Sequence, residues 1–319
     1  MDEFSFINAI KPKAYKQPSL IKGIGDDAAV LRSTSDIVTT VDTFVENIHF
    51  SLETMEPFHI GYRVLAANIS DLAAMGAEPA FYLVSMCIPK KWKQESLEEI
   101  YQGMNELASL YRMDLIGGDT VSSDRLMISI TAMGYVPKDK ARYRSHAKPG
   151  DIVFATGTLG DSRAGLEILL QGQEYKDKNY YIERHRLPKP RVALALGLRD
   201  IDRVALNDIS DGISNEANEI AEASRVELTI IEERIPVSKN FDQFSEKQQY
   251  DWKVSGGEDF ELLGTVSEQG WKKVQAVAAE TDTPVQQIGY VHEAAKPSVL
   301  IQSAGETKQL TKSGYTHLK

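Results

Sequence analysis

Along this chain, short apolar runs repeatedly give way to an aspartate beside glycine or serine. Gly23-Ile24-Gly25-Asp26-Asp27 lies between the strand-like stretches Ser19-Leu20-Ile21-Lys22 and Ala28-Ala29-Val30-Leu31. The β-branched run Ile37-Val38-Thr39-Thr40-Val41 ends at Asp42, and Leu115-Ile116 leads into Gly117-Gly118-Asp119-Thr120. Val204-Ala205-Leu206 leads into Asn207-Asp208-Ile209-Ser210-Asp211-Gly212, and Val254 into Ser255-Gly256-Gly257-Glu258-Asp259. Short apolar, β-branched runs bounded by such residues read as buried strands, and glycine lets the following turn adopt angles that other residues resist. The pattern confines the chain to sheets whose strand ends are crowded with carboxylates.

Helical segments separate these strands. The spacing predicts helices over Phe4–Ile10, Pro57–Met75 and Leu97–Tyr111. In the last, Leu97, Ile100, Tyr101, Met104, Leu107 and Ala108 face inward. Asn68 and Asp71, three residues apart, share a face of the second helix. Phe81–Ile88 and Leu126–Val136 read as strands, with Cys87 in the first as a core residue. Further on, helices are expected over Ala164–Leu170, Pro190–Leu198, Ile213–Ala223 and Gln269–Ala279. Strands are expected over Asp151–Thr156, Val226–Ile231, Phe260–Val266 and Val285–Val291. Residues 171–187 are polar and read as an exposed insertion. The alternation predicts an α/β (α+β) chain of two domains, 1–137 and 148–319, joined through a Pro-, Gly- and Lys/Arg-rich stretch.

With 319 residues, 42% of them hydrophobic and 26% charged, the chain can build a substantial core. Its formal net charge of −10 argues against a nucleic-acid partner. No apolar run reaches the ~18 residues of a membrane helix. Met1-Asp2-Glu3-Phe4 lacks the layout of a signal peptide, and one cysteine excludes an internal disulfide framework, so a cytoplasmic protein without membrane association is expected.

Acids brought together from several strand ends would repel one another unless cations intervene. Oxygen-only ligation suits Mg²⁺, which takes one or two protein carboxylates and fills its shell with phosphate oxygens and water. A carboxylate-rich set of loops therefore points to several Mg²⁺ ions on a polyphosphate. The simpler reading of any one Asp after Gly is a turn former or helix cap. His49 alone reads as a surface or structural residue, and the Lys138–Lys148 basic run as a solvated loop. There is no Gly-x-x-x-x-Gly-Lys-Ser/Thr loop, no His-Arg-Asp with a downstream Asp-Phe-Gly, no Cys/His zinc pattern and no Gly-x-Ser-x-Gly elbow.

With these residues in place, the chain resembles the thiamine-monophosphate kinases of the aminoimidazole-ribonucleotide-synthetase-related superfamily. The landmarks run in order from Gly23–Ala29 through Val41-Asp42-Thr43, His49-Phe50 and Asn68–Gly76 to Gly117–Thr120. They continue with Arg144-Ser145, Lys148–Asp151, Gly157–Gly165, Asp208–Gly212, Ser255–Leu262 and Gly314-Tyr315. Each is weak alone; their order and spacing are specific.

The resemblance implies ATP-dependent phosphorylation of thiamine monophosphate. It implies a homodimer paired through an ATP-binding N-terminal domain, with a C-terminal domain closing the site. Positions matching Asp27, Asp42, Asp71, Asp119, Asp208 and Asp211 would hold Mg²⁺. Thr40 and Val41 match further metal positions, although Val41 can offer only its backbone. Gly118, Asp119, Arg144 and Ser210 match nucleotide-contacting positions, and His49, Glu258 and Tyr315 match substrate-contacting ones. No residue is assigned as a general base.

The rival readings are another ATP-using enzyme of the superfamily and a non-catalytic Mg-nucleotide-binding regulator. A selenophosphate synthetase would carry a reactive Cys near its N-terminus, whereas Cys87 lies in a strand. A hydrogenase-maturation relative would end in cysteine, whereas this sequence ends His317-Leu318-Lys319.

Overall fold

The computed structural model describes residues 9–24 and 28–314. Most of the expected helix Phe4–Ile10, residues Gly25, Asp26 and Asp27 of the first turn, and Tyr315 lie outside the described residues. The strands flanking that turn do form: β1 (Leu20–Lys22) pairs antiparallel with β2 (Val30–Leu31), with Leu20 opposite Leu31. The chain separates into two compact units. One runs through Leu72 and resumes over Ala77–Asp139; the other takes Ala73–Gly76 and Lys140 onward.

The first unit holds β3 (Asp36–Val45), β4 (Glu78–Ile88), β5 (Asp114–Ser122) and β6 (Met127–Val136) in the order β3-β6-β4-β5. The β4/β5 pair is parallel, as a helical crossover requires, and the other pairs are antiparallel. Two helices, Pro57–Ala74 and Gln94–Leu110, accompany this sheet. Their backbones touch through glycine: a Cβ on Gly61 would lie 1.7 Å from the Ile100 carbonyl oxygen, and one on Gly103 would lie 1.9 Å from that of Phe58. All six inward residues expected of the second helix are buried.

Strand β6 alternates buried and half-buried residues along its whole length, so the sheet has one covered and one open face. This revises the reading of Ile37–Val41 as a fully buried strand. β3 is an edge strand whose alternate residues lie on the open face, where Ile37 is 49% and Val41 62% exposed. Cys87, expected in the core, shares the register row of Met127 on that face and is half-buried.

The second unit holds β7 (Ile152–Thr156), β8 (Val204–Ile209), β9 (Glu227–Ile231), β10 (Glu261–Val266), β11 (Val285–His292), β12 (Ser298–Ser303) and β13 (Glu306–Gln309). They form one sheet in the order β13-β12-β9-β11-β7-β10-β8. All its pairs are antiparallel except β12/β9. The core beneath it takes Ile209, Ile213, Ala217 and Ile220 from β8 and helix Ile213–Ser224, with Leu228, Leu263 and Ile288.

Residues 171–187 are not the exposed insertion that their polarity suggested. They contain helix Lys178–Arg186, whose i, i+4 pair Tyr181 and His185 is buried. Tyr181 packs with Phe241, Phe244 and Trp252, edge-on to Phe244 at 5.5 Å. Average polarity hid a one-sided helix. The helix Glu246–Ser255, opened by a capping box of Ser245 and Gln248, and strands β12 and β13 were not anticipated.

Helix Asp161–Gln171 reaches this cluster through Gly165, where a Cβ would lie 2.1 Å from the Tyr181 carbonyl oxygen. Gly165→Ala should therefore destabilise the protein by about 1–3 kcal/mol through overpacking, read as a lower urea midpoint.

Candidate active site

In the first unit Asp42 and Asp71 stand on the covered face. Successive strand residues alternate sides, so Thr40 and Asp42 project together while Val41 projects to the open face. Asp71 stands in the last turns of helix Pro57–Ala74. Thr40 Oγ1 donates to Asp71 Oδ2 at 2.5 Å. Asp42 shares a hydrogen bond with Asp71, and burial together with the Asp71 charge pushes its pKa up to about 7. Asn68 is fully buried one turn earlier, its amide bonded back to the Val64 carbonyl at 3.0 Å.

The aspartates were expected at element ends. Instead Asp42 and Asp119 lie within β3 and β5; Asp71 lies in the helix that the spacing predicted. The sheet register separates them further. One cross-strand row reads Asp42, Ile130, Val84, Gly118; the next reads Thr43, Ser129, Ser85, Asp119. Asp119 belongs to the open-face row and is exposed. Gly118 approaches β4 so closely that a Cβ there would lie 2.0 Å from the Val84 carbonyl oxygen. His49 follows β3 in a tight loop closed by Asn47, at φ 64°, and by the 2.7 Å bond from its N–H to the Phe50 carbonyl. The Val45 N–H donates to His49 Nδ1 at 3.0 Å, which places the proton of the neutral ring on Nε2.

The second unit gathers its sequence-expected residues more tightly. Asp208 is buried near the end of β8, and Ser210 and Asp211 form the turn into helix Ile213–Ser224. Against this turn lies the Ser255–Glu258 segment. The Glu258 N–H donates to the Ser210 carbonyl at 2.7 Å, and a Cβ on Gly257 would lie 2.6 Å from that same oxygen. Glu258 itself takes φ 68°. The chain returns at Gly314, whose N–H donates to Asn215 Oδ1 at 2.9 Å and whose Cβ, were there one, would lie 2.2 Å from the Asp211 carbonyl oxygen. Thus Ser210, Asp211, Glu258 and the residue before Tyr315 come together.

Three residues not singled out from the sequence hold this group. Glu216 is buried; it accepts from the Asp211 N–H at 2.9 Å, the Ser210 hydroxyl at 3.5 Å and the Asn207 amide at 2.8 Å. Burial, with Glu219 and Asp211 nearby, pushes its pKa up to about 8. Asn207 Oδ1 accepts from Arg144 Nε at 2.9 Å, and Glu219 pairs with Arg144 Nη1 at 3.1 Å. The available signal was the Glu216, Glu219 spacing, which puts both carboxylates on one face of the helix that follows the Asp-Gly turn.

The donor set suits magnesium. Asp42, Asp71 and Thr40 offer only oxygen, and the mutual repulsion of the two carboxylates is what a divalent cation relieves. Among the described residues no group of three or more His, Cys, Asp or Glu forms a metal-holding cluster. A carboxylate pair is what a site shared with phosphate and water needs.

Two family descriptions match. AIR synthase related protein, N-terminal domain, covers residues 25–136, and AIR synthase related protein, C-terminal domain, covers residues 148–302. The thiamine-monophosphate kinase of Bacillus subtilis (strain 168) is 44% identical over 326 aligned residues, spanning 100% of both chains. The chain belongs to the thiamine-monophosphate kinase family. A crystal structure of the family from Stenotrophomonas maltophilia K279a superposes with a TM-score of 0.84 at 32% identity, over 96% of this chain and 98% of that one. The structure described as AaThiL complexed with AMPPCP and TMP superposes at 0.75 with 30% identity, over 96% of each chain. The expected α/β architecture of two parts is that of this kinase family. No helix among the described residues is long and apolar enough to cross a membrane.

A second charged group in the kinase's C-terminal unit serves stability. Glu261 is fully buried and accepts from Arg191 Nε at 2.6 Å, Arg191 Nη2 at 2.5 Å, Arg184 Nη2 at 2.9 Å and the Thr156 hydroxyl at 2.6 Å. Burial would raise its pKa, but the two arginines and Thr156 hold it below the usual carboxylate value. The stability it contributes is complete above the unfolded-state value of 4.5 and is lost as pH falls through its depressed folded-state value. Glu261→Ala, which removes the shared carboxylate from two largely buried guanidinium groups, should cost about 3–5 kcal/mol in urea unfolding at neutral pH. The gap from the native protein should narrow once the pH is taken below 4.5.

Proposed function

We propose that this protein transfers the γ-phosphoryl group of ATP to thiamine monophosphate, giving thiamine diphosphate and ADP. The observation that carries this reading is full-length 44% identity to a thiamine-monophosphate kinase. It is supported by the likeness to AaThiL complexed with AMPPCP and TMP. Two local groupings support it: Thr40, Asp42 and Asp71 in the first unit, and Ser210, Asp211 and Glu258 in the second.

The acceptor is a phosphate monoester. Its second pKa is about 6, so it is largely dianionic at neutral pH and needs no general base. The difficulty is bringing two polyanions into line. In this reading Asp27, Asp42, Asp71, Asp119, Asp208 and Asp211, with the Thr40 hydroxyl and the Val41 backbone, would hold Mg²⁺, which when bound would supply charge neutralisation on both phosphate groups. Arg144 supplies fixed positive charge to the nucleotide phosphates, and the Gly118 backbone, Asp119 and Ser210 line the nucleotide. His49 offers an Nε2–H donor to the substrate. Glu258 faces the cationic thiazolium, with Tyr315 stacking on it. Transfer is direct and in line, without a phosphoenzyme. The open sheet face, carrying Ile37, Val41 and Val121, is the face through which we expect a second copy to pair.

The test is incubation with ATP, Mg²⁺ and thiamine monophosphate, followed by chromatography. Equal amounts of thiamine diphosphate and ADP are expected, and nucleotide binding without either product would sink the proposal in favour of a regulator. Asp71→Asn should lower kcat by at least about 10-fold, with partial recovery at higher Mg²⁺. Ile37→Lys should shift the sedimentation profile from dimer towards monomer; a profile unchanged from that of the native chain would remove the open face from consideration as the interface.

A further inference from the structure

Arg144 is held on three sides by this chain's own groups, and none of them has a role in the reading above. Its backbone is fixed first. The Ser224 hydroxyl donates to the Arg144 carbonyl at 2.7 Å and accepts from the Ala147 N–H at 3.0 Å, tying the turn to the end of helix Ile213–Ser224. The side chain is then held by a closed triangle. Arg144 Nε donates to Asn207 Oδ1 at 2.9 Å and Nη1 lies 3.1 Å from Glu219 Oε2. Asn207 Nδ2 donates to that same Glu219 oxygen at 3.1 Å. The second amide hydrogen of Asn207 goes to Glu216 Oε2 at 2.8 Å, so the amide cannot rotate without breaking three bonds. Yet the Arg144 side chain remains half exposed, and its Nη2 edge makes no hydrogen bond among the described residues.

We propose that Glu219, acting with Asn207, is a positioning residue that holds the Arg144 guanidinium with its Nη2 edge presented to the nucleotide phosphates. This rests on the reading of Arg144 as a nucleotide contact and deepens it. An exposed arginine surrenders rotamer entropy when it is fixed. The triangle makes that expenditure during folding, so binding need not. Asn207 takes the Nε–H and Glu219 pairs its charge with Nη1, which leaves the Nη2 edge for a phosphate oxygen. The opposing possibility has an opposite sign. A carboxylate beside Arg144 also weakens its pull on a polyanion, so if Glu219 merely parks the side chain, removing it tightens nucleotide binding.

Calorimetry of AMPPCP with Mg²⁺ reads the sign without requiring turnover. Glu219 is suited to substitution because its side chain is 34% exposed. Glu219→Ala should weaken binding about 5–10-fold, and Glu219→Gln, which retains an amide oxygen as acceptor, about 2–3-fold. The same ranking should appear in the KM for ATP, with kcat changed less. In an Arg144→Ala background, Glu219→Ala should add less than about 2-fold, because the effect passes through the guanidinium. Unchanged or tighter binding in Glu219→Ala overturns the proposal, as does full additivity in the double variant. If Arg144→Ala itself leaves AMPPCP binding intact, the nucleotide role of Arg144 fails first and the proposal falls with it. If Arg144→Ala weakens binding and Glu219→Ala does not, only the positioning role is lost.

Discussion

Two carboxylates that repel each other cannot stay close unless the elements carrying them are held more strongly than they are pushed. Asp42 and Asp71 are in that position, one on a strand and one near the end of a helix. What fixes the helix is the absence of side chains at Gly61 and Gly103, which lets two helices touch backbone to backbone. Contacts this close leave little freedom to slide, because any added atom overlaps a carbonyl. The strain of paired like charges is borne by packing on the same covered face. The Thr40 hydroxyl adds a short bond that orients Asp71.

The C-terminal unit solves a related problem with hydrogen bonds. The turn from Asp208 to Gly212 would present its acids loosely if left to backbone preferences. Glu216 anchors it by accepting from Asp211, Ser210 and Asn207 at once. Gly212, at φ 104°, and Gly257 let the Ser255–Glu258 segment press against that turn. Glu258 is thus placed by main-chain contact.

Much of this was legible in the residues. The helix Gln94–Leu110 followed from its apolar spacing, and the strand–helix alternation gave the α/β class that the family structures share. The ordered motifs pointed to the kinase family that full-length identity then established. What stayed hidden depended on pairing between distant segments. Asp119 looked like a neighbour of Asp42 in a list of motifs, and only the register of β3, β6, β4 and β5 shows that the two lie on opposite sides of a sheet. Val41 looked like part of a buried run because β-branching does not report whether a strand lies at a sheet's edge. Tyr181 and His185 were lost in a polar average, and nothing in the sequence tied Glu216 and Glu219 to their distant partners Asn207 and Arg144.

Strand β3 carries two messages interleaved at every second residue. Thr40 and Asp42 face the helices; Ile37, Val41 and Thr43 face outward. A strand read this way has no tolerance for a change of length. With Ile37 kept opposite Tyr135, losing or gaining one residue between Ile37 and Thr40 would turn Thr40 and Asp42 outward and Val41 inward. Point substitutions can tune either face by itself. The spacing that keeps the faces apart has to be inherited whole.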